Sequence, residues 1–201
     1  MKIIDLQVGP IMTNCYILCE ETAKLCAVID PGDEPERICR AIRESGCTPT
    51  MILLTHGHFD HYTGVAGVLE QYPDLPVYIH EKDVQDGGRG MDLKFPRLGE
   101  KHQRYYREGD VLHLGCLSIQ VWETPGHSAG SVCLIVADVI FSGDTLFCGS
   151  CGRTDFPGGS TPDILRSLSR LARLEGDYRV YPGHEEFTTL ERERRSNPYM
   201  M

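Results

Sequence analysis

The chain has 201 residues, of which 41% are hydrophobic and 24% are charged, and its formal net charge at pH 7 is −9. The hydrophobic fraction excludes an intrinsically disordered chain, and the length suits one large domain or two very small ones. Because the chain is acidic and has no strongly basic stretch, its composition argues against nucleic acid as a partner.

The first residues, MKIIDLQVGPIMTNCYILCEE, do not have the pattern of a signal peptide. Asp5 comes early, and Thr13 and Asn14 interrupt the apolar stretch. No run approaches the ~18 consecutive apolar residues that a membrane span needs. We therefore expect a cytoplasmic protein without a membrane partner, in which most of the nine cysteines are reduced and buried.

Short β-rich runs and two helices are predicted for the first part of the chain. The strands are KIIDLQV, TNCYILCE and CAVIDPG. DEPERICRAIRESG is predicted to be a helix, because Ile38 and Ile42 share one face and Gly46 sits at a C-cap position. The apolar run TMILLT then predicts a buried strand, TGVAGVLEQYP a helix and PVYIH another strand.

Residues 85–103 interrupt this pattern. They are rich in glycine and charge and have no clear period, which predicts a long loop. Its basic residues could receive an acidic substrate tail, although a solvated loop is the simpler interpretation. These residues are Arg89, Lys94, Arg97 and Lys101.

Strands return in the second half, at DVLHL, LSIQVWETPG, SVCLIVAD and VIFSGDTLF. TPDILRSLSRLARLEG is the clearest helix, with Thr161 as the expected N-cap, Pro162 in the first turn and Gly176 at the end. YRVYPGHEE predicts a last strand and turn, and TTLERERRS a short helix. Two series of strands with interleaved helices predict a layered α/β domain.

Four potential metal ligands lie within six residues of the segment LLTHGHFDHYTG. His56 and His58 are two residues apart at the end of a predicted strand, so their side chains point the same way. Asp60 and His61 follow where the chain turns towards a helix. Imidazole and carboxylate ligands suit zinc, iron or manganese. A single histidine would more often be structural, but this cluster predicts a metal site.

Three later turns repeat the arrangement of a ligand-type residue after a strand and a glycine. They place His127 in ETPGHSAGS, Asp144 in IFSGDTLF and His184 in VYPGHEE. Because ligands at strand ends along one sheet edge can converge, we expect these three to complete the site. The remaining histidines occupy no such turn and are expected to be structural or exposed: His80, His102 and His113.

With THGHFDH, TPGHSAGS, FSGD and YPGHE in this order, the chain resembles the metallo-β-lactamase-fold hydrolases. The segment CGRTDFPGGS and the ending ERERRSNPYM resemble the short glyoxalase II-like branch. The resemblance implies a layered α/β fold, a four-layer αββα sandwich with the site along one sheet edge. It also implies a single domain over residues 1–201, without the C-terminal helical domain with which full-length glyoxalase II enzymes hold glutathione.

The resemblance further implies two divalent metal ions, zinc in the first place, with iron or manganese as alternatives. Seven residues would bind them: His56, His58 and His127 the first ion, Asp60, His61 and His184 the second, and Asp144 both. A water between the ions would be available as hydroxide at neutral pH. A free carboxylate oxygen of Asp60 could orient that hydroxide.

Two further pairs of residues stand close to these motifs. Arg153 and Asp155 in GRTDF could contact substrate, but an Arg–Asp pair that fixes Asp60 or a nearby loop is the favoured interpretation. Cys148 and Cys151 have the spacing of a redox motif. They follow a glycine-rich strand and loop and lack zinc-ribbon partners, so incidental packing is expected.

The function predicted from these features is hydrolysis of small-molecule thioesters of the hydroxyacylglutathione type. A thiol of pKa ~8.5 can leave as thiolate without a strong acid, which fits a site made almost entirely of metal ligands.

A persulfide dioxygenase is the alternative, with one iron on His56, His127 and Asp144. A third possibility, a metal-stabilised non-catalytic module, fits less well, because structural zinc sites are usually closed by four ligands. The sequence indicates no oligomeric state.

Overall fold

A computed structural model describes residues 1–85 and 94–200 of the chain. The strands of the first half are β1 (Lys2–Val8), β2 (Thr13–Glu20), β3 (Leu25–Ile29), β4 (Thr48–Leu53), β5 (Val77–His80), β6 (Val84–Gln85), β7 (Phe95–Pro96) and β8 (Gln103–Tyr106). Those of the second half are β9 (Val111–Leu114), β10 (Leu117–Glu123), β11 (Val132–Val136), β12 (Val139–Gly143), β13 (Leu146–Phe147), β14 (Ser150–Cys151), β15 (Arg179–Pro182) and β16 (Thr188–Thr189). The α-helices of the described residues are α1 (Pro35–Ser45), α2 (Val65–Gln71), α3 (Thr161–Ala172) and α4 (Leu190–Ser196).

Within the described residues the longer strands form two six-stranded sheets. The first has the order β1-β2-β3-β4-β5-β8, with β3, β4, β5 and β8 parallel to one another. The second has the order β16-β15-β12-β11-β10-β9. There β12 is parallel to β15, and β10 shares their direction because β11 lies antiparallel between β10 and β12. The carboxyl ends of β3 and β4 therefore share one edge of the first sheet, and those of β10, β12 and β15 share one edge of the second.

Alternation of side chains along the strands separates the core into layers. In β2, Cys15 and Ile17 pack with Ile38 of α1, on the outer face of the first sheet. The intervening Tyr16 and Leu18 pack between the two sheets. On the other side, α3 and α4 cover the second sheet through a cluster that contains Ile140, Ile164, Leu168 and Leu190. Because successive strand residues face opposite sides, each sheet is buried on both faces.

These layers confirm the four-layer αββα sandwich expected from the resemblance. The helix expected at DEPERICRAIRESG forms as α1, and Gly46 caps it in a left-handed conformation with φ of 70°. The expected N-cap of α3 was wrong by one residue. The Ser160 side chain accepts the hydrogen bond from Asp163 N, and Thr161 is the first helical residue. Among residues 1–85 and 94–200, no helix combines the length and apolar character of a membrane span.

The long loop predicted for residues 85–103 needs a correction. Gln85 ends β6, Phe95–Pro96 form β7 beside it, and Gln103 begins β8 at the edge of the first sheet. The sequence does not predict strand β8, because QRYY has little apolar alternation. The strand forms by pairing with β5. Of the basic residues, Arg89 lies outside the described residues. Lys101 pairs with Asp74, and Arg97 donates to the Tyr105 hydroxyl.

Candidate metal centre

The seven predicted ligands come together where the strand ends of the two sheets meet. His56 and His58 follow β4, and Asp60 and His61 lie in a short 3₁₀ turn, Phe59–His61. His127, Asp144 and His184 follow β10, β12 and β15. The ligand atoms form three overlapping groups, and within each group they all lie within 4.8 Å of one another. The groups are His56 with His58 and His127, His56 with His61 and Asp144, and Asp60 with His61 and His184. The expected convergence of the strand ends is therefore present.

The first half of the cluster is buried and holds His56, His58 and His127. His58 Nδ1 lies 2.8 Å from His127 Nε2. His127 Nδ1 donates to the carbonyl oxygen of Arg153 at 2.8 Å, which leaves Nε2 as the unprotonated nitrogen. The exposed fractions of His56, His58 and His127 are 1%, 4% and 3%.

A chain of hydrogen bonds sets the His56 ring. The Thr55 hydroxyl donates to Asp30 Oδ2 at 2.7 Å, so it accepts from His56 Nδ1 at 3.1 Å. His56 Nε2 then carries the lone pair and is buried without a hydrogen-bond partner. Asp30 also accepts from His61 Nδ1 at 3.0 Å, which turns His61 Nε2 towards the cluster. One buried carboxylate thus fixes the orientation of two ligand rings.

The second half of the cluster holds Asp60, His61 and His184. His184 Nε2 lies 3.1 Å from Asp60 Oδ2 and 3.3 Å from His61 Nε2. The Thr13 hydroxyl donates to the same Asp60 oxygen at 3.2 Å. Sequence reasoning missed both Thr13 and Asp30. Asp30 could have been found, because VIDPG places a carboxylate after a strand and before a Pro-Gly turn, as in the other ligand motifs.

Asp144 lies between the two halves. Its Oδ1 is 3.4 Å from His61 Nε2, and its Oδ2 is 3.4 Å from His127 Nε2 and 3.6 Å from His184 Nε2. Oδ1 is buried and has no hydrogen-bond partner. One carboxylate therefore faces ligand atoms of both halves, which is the arrangement that a bridging ligand requires.

The charge states of these groups suit a cation. Burial, together with neighbouring histidines, lowers the pKa of His56 far below its usual value and that of His58 to about 4. Burial would raise the pKa of Asp144, but His61 and the other imidazoles outweigh it and hold that pKa low. His56 and His58 thus offer neutral imidazoles beside the ionised Asp144. In the second half neighbouring carboxylates outweigh burial and raise the pKa of His61 and His184, so a bound cation would take the place of their protons.

The residues present fit a metal ion. Buried polar atoms normally have partners, yet His56 Nε2, His58 Nε2 and Asp144 Oδ1 have none. Orphaned nitrogen and carboxylate atoms this close together are the donors that zinc, iron and manganese accept.

A cavity of about 480 Å³ opens beside the cluster. Its described lining includes five predicted ligands and a largely apolar wall: Ile11, Phe59, Phe147, Cys151 and Phe156. Arg153 also lines it, with its guanidinium 4.0 Å above the Phe156 ring. Asp155 holds that guanidinium through two hydrogen bonds of 2.7 and 2.6 Å. The Arg–Asp pair thus lies at the cavity, and no hydrogen bond or ion pair among the described residues joins it to Asp60.

The other candidate residues of the sequence have separate environments. Cys148 donates to Glu186 Oε1 at 3.2 Å, whereas Cys151 faces the cavity, and both are free thiols. Burial raises the pKa of each thiol, so neither is activated as a thiolate. His80 pairs with Glu123 and His102 with the carbonyl of Leu75, as expected for structural histidines.

Residues 8–184 match the family model described as the metallo-beta-lactamase superfamily. Hydroxyacylglutathione hydrolase GloC of Haemophilus influenzae is 33% identical over 218 residues, covering 100% of this chain and 98% of that protein. The B3 metallo-beta-lactamase BLEG-1 has a TM-score of 0.87 and 33% identity, with 100% of both chains covered. TTHA1623 in a di-iron-bound form has a TM-score of 0.82 and 36% identity, covering 98% of this chain and 99% of that one.

Proposed function

Because this chain belongs to the metallo-β-lactamase superfamily, we propose that it is a metal-dependent hydrolase of thioesters of the hydroxyacylglutathione type. The observation that carries the proposal is the position of Asp144 between two sets of ligand atoms, at a cavity of about 480 Å³. A closed structural site would leave no such opening beside the ligands. We also propose that residues 1–201 form a single domain.

The seven residues would divide between two divalent ions as the resemblance implies. His56, His58 and His127 would hold one ion, Asp60, His61 and His184 the other, and Asp144 both. When bound, the ions would supply hydroxide at neutral pH and polarise the substrate carbonyl. Zinc is the metal proposed first, and the di-iron form of TTHA1623 supports iron as the alternative.

The residues around the ions would position the reactants. Thr13 holds Asp60 Oδ2, so Asp60 Oδ1 can accept a hydrogen bond from the attacking hydroxide. The aromatic wall of Phe59, Phe147 and Phe156 would exclude water from the acyl group. A thiolate leaves without a strong acid, so the reaction does not depend on a separate proton donor in this wall.

Elemental analysis of the purified protein, paired with a thioester assay, tests the proposal. Two metal ions per chain and turnover of S-lactoylglutathione are expected, with little turnover of a cephalosporin. His127→Ala should abolish turnover, whereas replacing the exposed His113 in β9 is the matched control and should leave it unchanged. Two ions without thioester turnover would refute the substrate class.

The same measurements separate the two other candidates. One iron per chain with sulfite formed from glutathione persulfide would replace the hydrolase with a persulfide dioxygenase. For a non-catalytic module, removal of the metal by a chelator should unfold the chain. We expect instead that the chelated protein keeps its far-ultraviolet circular dichroism and loses turnover.

A further inference from the structure

Asp83 is a buried carboxylate just after β5 that is not a member of the ligand cluster. Its exposed fraction is 1%. Its Oδ2 accepts from Gly57 N at 2.9 Å and from the Ser128 hydroxyl at 2.6 Å, and its Oδ1 accepts from Gly130 N at 2.8 Å. All three partners are donors, so the site is built for an ionised carboxylate.

These donors belong to the two loops that carry the first half of the cluster. Gly57 lies between His56 and His58, and Ser128 directly follows His127. Through these hydrogen bonds, Asp83 joins the segment HGH to the segment HSAG. Ser128 is also held within its own loop, because its N–H donates to Ser131 Oγ at 3.1 Å.

The close approach of Asp83 explains two glycines of these loops. A Cβ atom on Gly57 would lie 2.5 Å from the Asp83 carbonyl oxygen, and one on Gly130 would lie 2.7 Å from Asp83 Oδ1. A side chain at Gly57 would displace the Asp83 backbone, and one at Gly130 would push the Asp83 carboxylate away from its donors.

Asp30 acts differently. It orients His61 directly and His56 through Thr55, so its contacts reach both halves of the cluster. Among the described residues, the hydrogen bonds of the Asp83 carboxylate are with the loops of the first half.

We propose that Asp83 is a positioning residue that holds His56, His58 and His127 at ligand spacing, and so controls the affinity of one of the two metal subsites. This inference rests on the proposed metal centre but not on the proposed thioester substrate. In Asp83→Asn, the amide oxygen can keep two of the donors, but the amide NH₂ group would face the Gly130 N–H. The HSAG loop should then shift and take His127 with it.

The test is metal titration of the folded protein, by competition between Zn²⁺ and a chromophoric chelator. Asp83→Asn should keep two ions at saturating zinc, with the affinity of one ion reduced roughly 10–100-fold and that of the other unchanged. Asp30→Asn should weaken both ions. Asp138→Asn is the control, since Asp138 is exposed and precedes β12, at the opposite end of that strand from Asp144.

Double variants identify the affected subsite. Combined with His127→Ala, which already removes the first subsite, Asp83→Asn should add no further loss of zinc affinity. Combined with His184→Ala, it should weaken the remaining ion by the full factor. A general loss of stability would lower the affinity of both double variants equally, and that result would overturn the proposal, as would unchanged titration of Asp83→Asn.

Ser128→Ala, which removes one hydrogen bond, supplies a milder variant if Asp83→Asn does not fold. Two bound ions without thioester turnover in the unmodified protein would refute the proposed substrate alone.

Discussion

The two halves of the metal centre differ in how their ligands meet solvent and in what holds them. The His127 side chain in the first half is 3% exposed, whereas His184 and Asp60 in the second half are 19% and 16% exposed. In the first half, Asp83 joins two loops through the N–H groups of Gly57 and Gly130, while Asp30 sets the His56 ring through Thr55. The second half is positioned through side chains, with Thr13 on Asp60 and Asp30 on His61.

This difference indicates separate duties. A more buried half whose two loops are tied together suits tight retention of an ion, because its ligands cannot move without moving those loops. A partly open half with a carboxylate beside the cavity suits contact with the nucleophile and the substrate. Loss of a contact that supports the first half, such as that of Asp83, should therefore act mainly on metal affinity, whereas loss of the Thr13 contact with Asp60 should act mainly on turnover.

The largest effect is expected where the halves meet. Asp144→Ala removes the carboxylate that faces ligand atoms on both sides, so both ions should bind more weakly and turnover should be lost. The loss of affinity should exceed the roughly 10–100-fold that removal of an outer partner costs. Elemental analysis after dialysis measures it. Loss of one ion alone would show that Asp144 serves a single half.

The next largest effect separates the halves. His127→Ala and His184→Ala should each retain about one ion per chain and lose turnover, because each leaves one set of ligands intact. The residual ion of His184→Ala should resist dialysis longer than that of His127→Ala, since the more buried half retains it. Chelator competition measures both affinities. Equal retention in the two variants would contradict the assigned difference between the halves.

The sequence predicted which side chains the two halves of the cluster bring together, but not the groups that hold them. His56, His127 and Asp144 each follow a strand and sit in a recognisable turn, so local pattern and resemblance were enough. Asp83 follows β5 in the plain segment HEKDV, and its role depends on loops 26 and 47 residues further away along the chain. Contacts between residues this far apart in the sequence leave no local pattern from which they could be predicted.

The fold shows the same division. The layers followed from alternation in strands such as β2, where odd and even residues pack on opposite faces. Strand β8 escaped prediction because QRYY is an edge strand, two of whose four residues are exposed, and it depends on the ladder with β5. Elements that carry their own apolar period can be read from sequence, whereas those formed by pairing alone cannot.

A smaller effect is expected from the side chain that supports the open half. Thr13→Val keeps the shape of the residue but removes the hydroxyl that donates to Asp60 Oδ2. Loss of one hydrogen bond to a carboxylate predicts a fall in kcat of roughly 2- to 10-fold, with two ions still bound. Thr50→Val, which removes a hydroxyl bonded to the Cys26 carbonyl instead, is the control. A loss of metal in Thr13→Val would mean that the open half also depends on this contact to retain its ion.

The smallest effect is expected at the rim of the cavity. Arg153 is exposed, stacks on Phe156 and is held by Asp155, so it does not support either set of ligands through its side chain. Arg153→Ala should leave metal content and the melting temperature unchanged, because exposed ion pairs contribute little to stability. If the guanidinium attracts the carboxylates of an acidic thioester, KM for S-lactoylglutathione should rise a few-fold, and added salt should reduce the difference from the unmodified protein. Arg166→Ala on α3, which removes another exposed arginine, paired with Asp163, should leave KM unchanged. An equal KM in both arginine variants would show that the cavity selects its substrate through the aromatic wall and the metal centre alone.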